Sequence, residues 1–373
     1  MIYFDNAATT FPKPAEVSAE VLRCLTRYCG NPGRGAHPLA LLCAEKIYAA
    51  RELLSDFFGL SAPERIIFTQ NTTHALNLVL KGFLRTGDHV LISELEHNAV
   101  RRPLLRLHAE KKVSFDVFEV VGKSTAEILQ GIEKRLTYAT KAVICVHASN
   151  VCSLHLPLEE IGALCHRKGV KLIVDAAQSA GHLPIDMQKM HVDALAAPGH
   201  KALYGMQGAG VLALGEGMEL TPLLEGGSGS DSLSPDMPLS PPERFEAGTL
   251  STPAIVSLAQ GVRLVRERGV ESIREKERAL FFAAVERLTT LPEIELYATE
   301  HAGAVLLFNH RSIPPFALAQ KLAQSEICVR AGYHCAPMAH KALGTPDGGA
   351  VRLSFGLFNT VAQLDALWKA LKS

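Results

Sequence analysis

The feature that most constrains the fold is the alternation of short apolar runs with helical stretches through the middle of the chain. The apolar runs are rich in β-branched and aliphatic residues, as strands are, and the segments between them have the apolar spacing of helices. Strands that alternate with helices predict a mainly parallel sheet covered on both faces, and ligands of such sheets bind beyond the carboxyl ends of the strands. The strands are predicted at Ile66–Thr69, 90–93, 142–147, Lys171–Asp175 and Gly210–Leu214, and the helices at 73–80 and Leu158–Lys168.

The rest of the chain predicts a second, smaller unit that mixes helices and strands. A chain of 373 residues is longer than one ordinary core accommodates. Residues 225–243 are rich in Gly, Ser and Pro and predict a loop. We therefore expect a large domain over 14–252 and a smaller α+β domain formed by 1–13 together with 253–373. After the loop, helices are predicted at 253–268, 271–291, 314–324 and 361–371, and strands at 304–308 and 327–330.

Charge and composition argue against several classes of function. The 38 basic and 38 acidic residues give a formal net charge of zero, which offers no electrostatic basis for binding nucleic acid or a membrane surface. We see neither a signal peptide at the start nor an apolar run long enough to cross a bilayer. The eight cysteines are scattered, unlike a disulfide scaffold, and never cluster with His as in a zinc site. We expect a cytoplasmic protein with reduced thiols and no metal.

Side chains that can serve in catalysis or ligand binding lie at the ends of four of the apolar runs. Asp175 ends one run and Lys201 follows another, while Thr72 and Thr73 open a helix after a third and His97 follows a fourth. Each has an ordinary explanation by itself. The aspartate and the threonines are typical helix caps, the lysine a typical solvated surface residue, and the histidine a typical structural hydrogen-bonding group.

Together, these side chains supply what pyridoxal phosphate requires of a protein. A lysine forms the Schiff base, and an aspartate pairs with the pyridinium nitrogen and keeps the ring an electron sink. A helix N-terminus that carries threonines holds a phosphate, and a histidine can lie against the ring. The combination of Lys201, Asp175, Thr73 and His97 therefore predicts a pyridoxal-phosphate enzyme.

Five motifs, spread over nearly the whole chain up to residues 358–360, narrow this prediction. They are Asp-Asn-Ala-Ala-Thr-Thr at 5–10, Val-Asp-Ala-Ala-Gln at 174–178, Gly-His-Lys at 199–201, Arg-Phe-Glu-Ala-Gly-Thr at 244–249 and Arg-Ala-Gly-Tyr-His-Cys-Ala at 330–336. As a set they resemble the class V aminotransferase family, in its cysteine desulfurase and selenocysteine lyase branch. The last motif is similar to that of the group II, Suf-type enzymes. The resemblance implies the α/β fold of fold-type I pyridoxal-phosphate transferases, with a mainly parallel sheet in a large domain and a smaller α+β domain.

The resemblance also implies a cofactor site. Lys201 would be the Schiff-base lysine, Asp175 the pyridinium partner and Gln178 a donor to the ring oxygen, with His97 stacked on the ring. One departure concerns Pro198, which stands where the desulfurases usually carry a phosphate-binding serine, because proline has neither a hydroxyl nor an N–H to offer. The remaining contacts to the cofactor are expected from Thr72, Thr73, Asn150, His200 and, from the second subunit of a homodimer, Thr249.

The resemblance further implies how a substrate is bound and cleaved. Arg352 would hold the carboxylate of L-cysteine or L-selenocysteine through its guanidinium fork, with Arg330 as a second candidate and Asn150 on the substrate side. Lys201 would act as the base at Cα. The Cys335 thiolate would attack the substrate sulfur, leaving a persulfide for an acceptor protein and releasing alanine.

Several alternatives remain open at this point. A selenocysteine lyase uses the same scaffold, and an aminotransferase, an epimerase or a kynureninase-like lyase of the same family would not need Cys335. A binding protein that kept the fold without the chemistry is a different class. The acceptor also stays open, with iron–sulfur cluster assembly, thiolated tRNA and selenium metabolism as candidates.

Overall fold

The computed structural model describes residues 1–33, 35–230 and 233–372. The strands are β1 (Ile2–Tyr3), β2 (Ile66–Thr69), β3 (Asp88–Ser93), β4 (Val113–Phe118), β5 (Thr140–Val146), β6 (Lys171–Asp175), β7 (Ala194–Pro198), β8 (Gly210–Leu214), β9 (Ile294–Tyr297), β10 (Val305–His310), β11 (Ile327–Cys328), β12 (Arg330–Gly332) and β13 (Ala350–Ser354). The helices are α1 (Ala15–Arg23), α2 (Pro38–Phe57), α3 (Thr72–Phe83), α4 (Asn98–Ala109), α5 (Thr125–Arg135), α6 (Leu158–Lys168), α7 (Thr252–Arg268), α8 (Val270–Thr289), α9 (Pro315–Gln324), α10 (Pro337–Ala342) and α11 (Val361–Lys372). Within the described residues, no helix has the length and apolarity needed to cross a bilayer.

The larger sheet carries the site. Its described strands lie in the order β2-β8-β7-β6-β5-β3-β4. Strand β8 is antiparallel to both β2 and β7, whereas the other neighbouring strands pair in parallel. The prediction of a mainly parallel sheet is therefore confirmed. All the described strands of this sheet except β8 run in one direction, so their carboxyl ends meet at one edge of the sheet.

Both faces of this sheet are buried. Successive side chains of a strand point to opposite faces, so Val143 and Val174 pack on one side and Ile144 and Ile173 on the other. Helices α2, α5, α6 and α7 cover the first face, and α3 and α4 cover the second. Fully burying one such aliphatic side chain contributes about 1.5–3 kcal/mol. This double cover explains why the strands are almost continuously apolar.

The second sheet is antiparallel and lies in the order β12-β13-β10-β9. Helices α8, α9 and α11 pack on it around a separate apolar core, which also includes Phe4 from the N-terminus. Strand β1 pairs in parallel with β11, so the first residues associate with the C-terminal elements. These contacts concern residues 2–4, whereas Thr9, Thr10 and Lys13 donate to the His200 carbonyl of the large unit, so the division into 14–252 and 1–13 with 253–373 stays a prediction.

Two predictions for the second half of the chain can be compared directly with the observed strands and loops. The single strand predicted at 327–330 is two short strands, because the chain leaves β1 after Cys328 and pairs with β13 from Arg330. The loop predicted at 225–243 contains neither helix nor strand in its described parts, 225–230 and 233–243, while Asp231 and Ser232 lie outside the described residues.

A buried ion pair ties three parts of the large unit together. The Arg51 guanidinium on α2 donates to both carboxylate oxygens of Glu246, at 2.8 and 2.5 Å. Glu246 also accepts from the Phe68 N–H on β2 at 2.6 Å. Both charged side chains are almost completely buried. Glu246 thereby fixes the segment before α7, which carries Thr249.

We predict that Glu246→Ala strongly destabilises the protein, because it leaves the Arg51 guanidinium buried without its carboxylate. Breaking a buried pair in this way costs about 3–5 kcal/mol. Urea unfolding measures the loss, with Asp56→Ala as the control because Asp56 pairs with Arg266 on the exposed surface. Equal losses for the two variants would contradict the assignment.

Candidate active site

A cleft opens at the carboxyl edge of the larger sheet, where the strand-end residues predicted from the sequence meet. Loops after β2, β3, β5, β6 and β7 all contribute to its wall. Parallel strands make this convergence possible, because residues far apart in the chain reach the same edge. The predicted side chains that line the cleft are Thr72, Thr73, His97, Asn150, Asp175, Gln178, His200 and Lys201.

One end of the cleft is suited to an anion. Helix α3 begins there, and the Asn71 side chain caps it by accepting from the His74 N–H at 2.9 Å. The first turn of a helix presents free N–H groups and a positive dipole end. The buried Thr72 Oγ1 and His200 Nδ1 have no hydrogen-bond partner in the part of the chain that the structure describes. A bound phosphate would satisfy these groups.

Gly210 and Pro198 shape the same end. They face each other across β8 and β7. A Cβ atom on Gly210 would lie 2.7 Å from the Asn71 carbonyl carbon, so glycine is what allows β8 to approach the start of α3 so closely. Since Pro198 has no donor, the donors at this end come from α3 and His200.

Lys201 and Asp175 form the charged centre of the cleft. Burial lowers the pKa of Lys201 to about 8, and the nearby Asp175 carboxylate opposes this shift. Burial raises the pKa of Asp175, while the Ala177 N–H, which donates to Oδ1 at 2.9 Å, and Lys201 lower it. A lysine amine that is partly neutral near neutral pH is a competent nucleophile.

His97 is held in one orientation and one protonation state. It is the N-cap of α4, and its Nδ1 accepts from the Ala99 N–H at 3.0 Å, which leaves the proton on Nε2. Burial, followed by the positive charges of Lys201, Arg330 and Arg352, lowers the pKa of His97 to about 4. The ring is therefore neutral at physiological pH.

Asn150 and Gln178 each have one contact that fixes the side chain. The Asn150 Nδ2 donates to the His334 carbonyl at 2.7 Å, and Oδ1 is buried without a partner among the described residues. The Gln178 Nε2 donates to the Ala7 carbonyl at 2.9 Å, which uses one of its two N–H groups. Both amides therefore keep a polar group for a ligand.

The two arginines lie on neighbouring strands of the smaller sheet, at paired positions in β12 and β13. Arg352 is 1% exposed and donates to Asp5 Oδ1 at 2.7 Å and to the Asn150 carbonyl at 3.0 Å. Its Nε is buried and has no partner among the residues described. Arg330 is exposed. Like charges at paired positions repel each other, so an anion between them would be favourable.

Cys335 lies in an exposed turn between β12 and α10. His334 and Cys335 both have left-handed backbone angles, with φ of 49° and 58°, which costs about 1–2 kcal/mol for each non-glycine residue. The Cys335 carbonyl accepts from the Asn98 N–H of α4 at 2.7 Å, and Asn150 bonds the preceding carbonyl. The thiol turn is thus docked on the residues that adjoin His97.

Thr249 lies elsewhere in the protomer. It is exposed and lines a different cleft, together with Tyr48, Arg51 and Glu246. The family resemblance predicts that Thr249 contacts the cofactor bound in the other subunit of a homodimer, and this stays a prediction.

Four further residues belong to the site although sequence reasoning did not single them out. Asp5 neutralises Arg352, Asn71 caps α3, and Asn98 holds the thiol turn. The fourth, Glu96, is completely buried behind His97, where it accepts from Ser93 Oγ at 2.5 Å and from the Val146 N–H at 2.9 Å. Burial raises the pKa of Glu96 to about 8. The N-cap signal of Asn71 was readable, whereas the contacts of Asp5, of Asn98 and of Glu96 with Val146 join distant segments.

Comparisons with known proteins agree with this geometry. The family profile described as Aminotransferase class-V matches residues 2–367. A protein of Pyrococcus abyssi named "Probable cysteine desulfurase" is 33% identical over 384 residues, covering 100% of this chain and 94% of that protein. The apo structure of a cysteine desulfurase from Thermococcus onnurineus is 32% identical, with a TM-score of 0.90 over 100% of this chain and 94% of that one. A cysteine desulfurase from Escherichia coli, solved in its S-sulfonic acid form, is 26% identical, with a TM-score of 0.89 over 99% of this chain and 93% of that one.

These matches confirm the predicted resemblance and the predicted fold class. The roles of individual site residues stay predictions.

We predict that the Lys201 amine becomes reactive as the pH rises through about 8, well below the ordinary value of 10.5. The reason is burial, which disfavours the charged form. Reductive methylation of the cofactor-free protein with formaldehyde at a series of pH values, mapped by mass spectrometry, measures the midpoint. Asp175→Asn removes the carboxylate that opposes the shift and should lower the midpoint further. A midpoint near 10, or a rise in Asp175→Asn, would contradict the prediction.

Proposed function

This chain belongs to the class V aminotransferase family, and we propose that it is a pyridoxal-phosphate-dependent cysteine desulfurase. It would convert L-cysteine to L-alanine and carry the sulfur as a persulfide on Cys335. The observation that carries the proposal is the meeting of Lys201, Asp175 and His97 in one cleft, with an exposed cysteine in a turn docked beside them. A family member that acted without the cysteine would have no need to hold this turn in a costly conformation.

The residues of the cleft suit pyridoxal phosphate. Buried polar atoms of Thr72, His200 and Asn150 lack partners within the described chain, as expected of a site built for a polar ligand. Lys201 would attach the cofactor, Asp175 would face its ring nitrogen, and the start of α3 would hold its phosphate. When bound, the cofactor supplies an electron sink for the negative charge that develops at the substrate Cα.

Arg352 and Arg330 would orient the substrate through its carboxylate. The Arg352 guanidinium uses two of its five N–H groups on Asp5 and Asn150, so further donors remain. A charge-assisted pair with a carboxylate is directional, which fixes the direction in which the substrate sulfur points.

Lys201 would then take the proton from the substrate Cα. Its lowered pKa of about 8 leaves enough neutral amine at Nζ for this step, and Asp175 stabilises the ammonium that results. Neutral His97, whose proton is on Nε2, offers a hydrogen-bond donor to the cleft.

Cys335 would accept the sulfur. The thiol loses its proton and its Sγ bonds to the substrate sulfur, while the carbon–sulfur bond breaks and Cβ gains a proton. One cysteine and one protein thiol thus give one alanine and one persulfide, so no external oxidant is needed. Because Cys335 is exposed, an acceptor protein with its own thiol could collect the sulfur.

We propose that the working form is a homodimer with sites shared between subunits. Apolar side chains are exposed on and beside α1 and α2, near the cleft that contains Thr249 and Tyr48. An exposed apolar surface of this kind suits a second copy of the chain. The exposed apolar residues are Leu22, Leu25, Leu39, Leu41 and Tyr48.

We place the reaction in the cytoplasm. All eight cysteines lie in the described residues, and each is a free thiol. A persulfide carrier also needs a reducing compartment that keeps its thiol available.

Product analysis of two variants tests the function. Cys335→Ala should still bind pyridoxal phosphate and cysteine but form no protein persulfide, because the nucleophile is gone. Lys201→Ala should lose the borohydride-reducible link to the cofactor and all alanine release. Cys29→Ala, which removes another exposed thiol, is the matched control and should behave as the wild type.

Selenocysteine offered in parallel separates the nearest alternative. Carbon–selenium bonds break more readily, so a lyase should keep much selenocysteine activity in Cys335→Ala. If Cys335→Ala releases alanine from cysteine at the wild-type rate, Cys335 is a bystander and the desulfurase proposal fails.

Mixing variants tests the shared site. We predict that Thr249→Ala alone binds the cofactor more weakly, because its phosphate loses a donor from the partner. A mixture of Thr249→Ala and Lys201→Ala subunits should regain about one normal site per heterodimer, since one site then combines an intact lysine with an intact partner threonine. Cofactor titration and alanine release measure the recovery. If mixing restores nothing, Thr249 does not act across the interface.

A further inference from the structure

Two buried histidines lie beside the Cys335 turn and are not used by the proposed mechanism. His334 is 4% exposed and His340 is 1% exposed. The His334 Nδ1 lies 3.0 Å from the His340 Nε2. The second nitrogen of His334 contacts the Arg330 carbonyl at 3.2 Å, and that of His340 contacts Thr345 Oγ1 at 2.9 Å. The contacts form one continuous chain from β12, through both rings, to the loop after α10.

When both rings are neutral, the hydrogen bonds between Thr345, His340, His334 and Arg330 can run in only one direction. The Arg330 carbonyl can only accept, so the His334 Nε2 carries the proton and Nδ1 is an acceptor. The His340 Nε2 must then donate to His334, which leaves His340 Nδ1 as an acceptor for the Thr345 hydroxyl at 2.9 Å; this hydroxyl also lies 3.3 Å from the His340 carbonyl, so both of its contacts are to His340. Burial is the main cause that lowers the pKa of His334 to about 3 and of His340 to about 4, so both rings are neutral at physiological pH.

The backbone of the turn needs such support. His334 and Cys335 are consecutive non-glycine residues in the left-handed region, and conformations of this kind persist only where the surroundings enforce them. Asn98 and Asn150 hold the two carbonyls from the side of the larger sheet. From the other side, the His334 ring is held by His340 and the Arg330 carbonyl.

We propose that His340, oriented by the Thr345 hydroxyl, is a positioning residue for Cys335. By donating to His334, it fixes the turn so that the thiol meets the sulfur of a bound substrate. The inference rests on the proposed desulfurase function for its kinetic readout, but the order of the turn can be measured without any activity.

The first test compares Thr345→Val with Thr345→Ser in the cofactor-loaded protein. Valine keeps the shape and removes the donor to His340, whereas serine keeps the hydroxyl. We expect Thr345→Val to lower the single-turnover rate of persulfide formation severalfold, with unchanged affinity for cysteine, and Thr345→Ser to match the wild type. His340→Phe removes the whole link and should lower the rate by up to about 100-fold, as small misplacements of reacting groups do.

A control and a second readout separate positioning from general damage. His310→Phe alters a histidine at the end of β10, whose Nδ1 accepts from the Ser312 N–H and takes no part in the His334–His340 contacts, and it should change nothing. Alkylation of Cys335 by iodoacetamide, which needs no bound substrate, should stay within about threefold in every variant, because a loosened turn still exposes its thiol.

Hydrogen exchange of the backbone across residues 330–343 completes the test. His340→Phe and Thr345→Val should exchange faster there, and Thr345→Ser should not. Unchanged exchange and unchanged rates in His340→Phe would overturn the proposal, as would equal losses in Thr345→Ser and Thr345→Val. If the wild type releases no alanine from cysteine, the proposed function fails, while the exchange data still decide whether His340 orders the turn.

Discussion

The buried guanidinium of Arg352 is the charge on which the arrangement of the site depends. It projects from β13 of the smaller sheet, yet its partners are Asp5 near the N-terminus and the Asn150 carbonyl after β5 of the larger sheet. Breaking such a pair by removing one partner is costly, because the remaining charge stays buried. This group therefore ties the two sheets together at the cleft, alongside the bonds that Asn98 and Asn150 donate to the thiol turn.

The same charge also shapes the protonation of its neighbours. Burial is the largest cause of the lowered pKa values of His97, His334, His340 and Lys201, and the positive charge of Arg352 adds to the lowering of each. Rings kept neutral retain one bare nitrogen, so each can both donate and accept. The positive field thus favours an anionic ligand and helps to keep neutral the two rings whose hydrogen-bond direction the Arg330 carbonyl sets.

Local sequence patterns predicted well which side chains meet at the edge of the larger sheet, and predicted poorly the contacts made from the smaller sheet. Asp175, Lys201 and Thr72 follow strands of one parallel sheet, so their meeting at one edge follows from fold class alone. The contact between Asp5 and Arg352 joins residues 347 positions apart, and nothing in the local pattern indicates it. The single strand predicted at 327–330 was wrong for a related reason, since four consecutive residues with the composition of a strand do not reveal that their two ends pair with different strands. Thr249 came from the family resemblance alone, and the single chain leaves it in another cleft.

In the proposed function, the turn of Cys335 would have to satisfy two opposing requirements. The thiol is exposed, as an acceptor of its sulfur would require, but exposed loops are usually mobile. Here the exposed side chain sits on a backbone whose carbonyls are bonded to Asn98 and Asn150 and whose neighbouring ring is buried. The backbone hydrogen bonds and the buried His334 ring thus hold the turn on its inner side, while the Cys335 thiol on its outer side stays exposed. The left-handed strain of two residues is the energetic cost of turning the thiol outward while the chain beneath it stays packed.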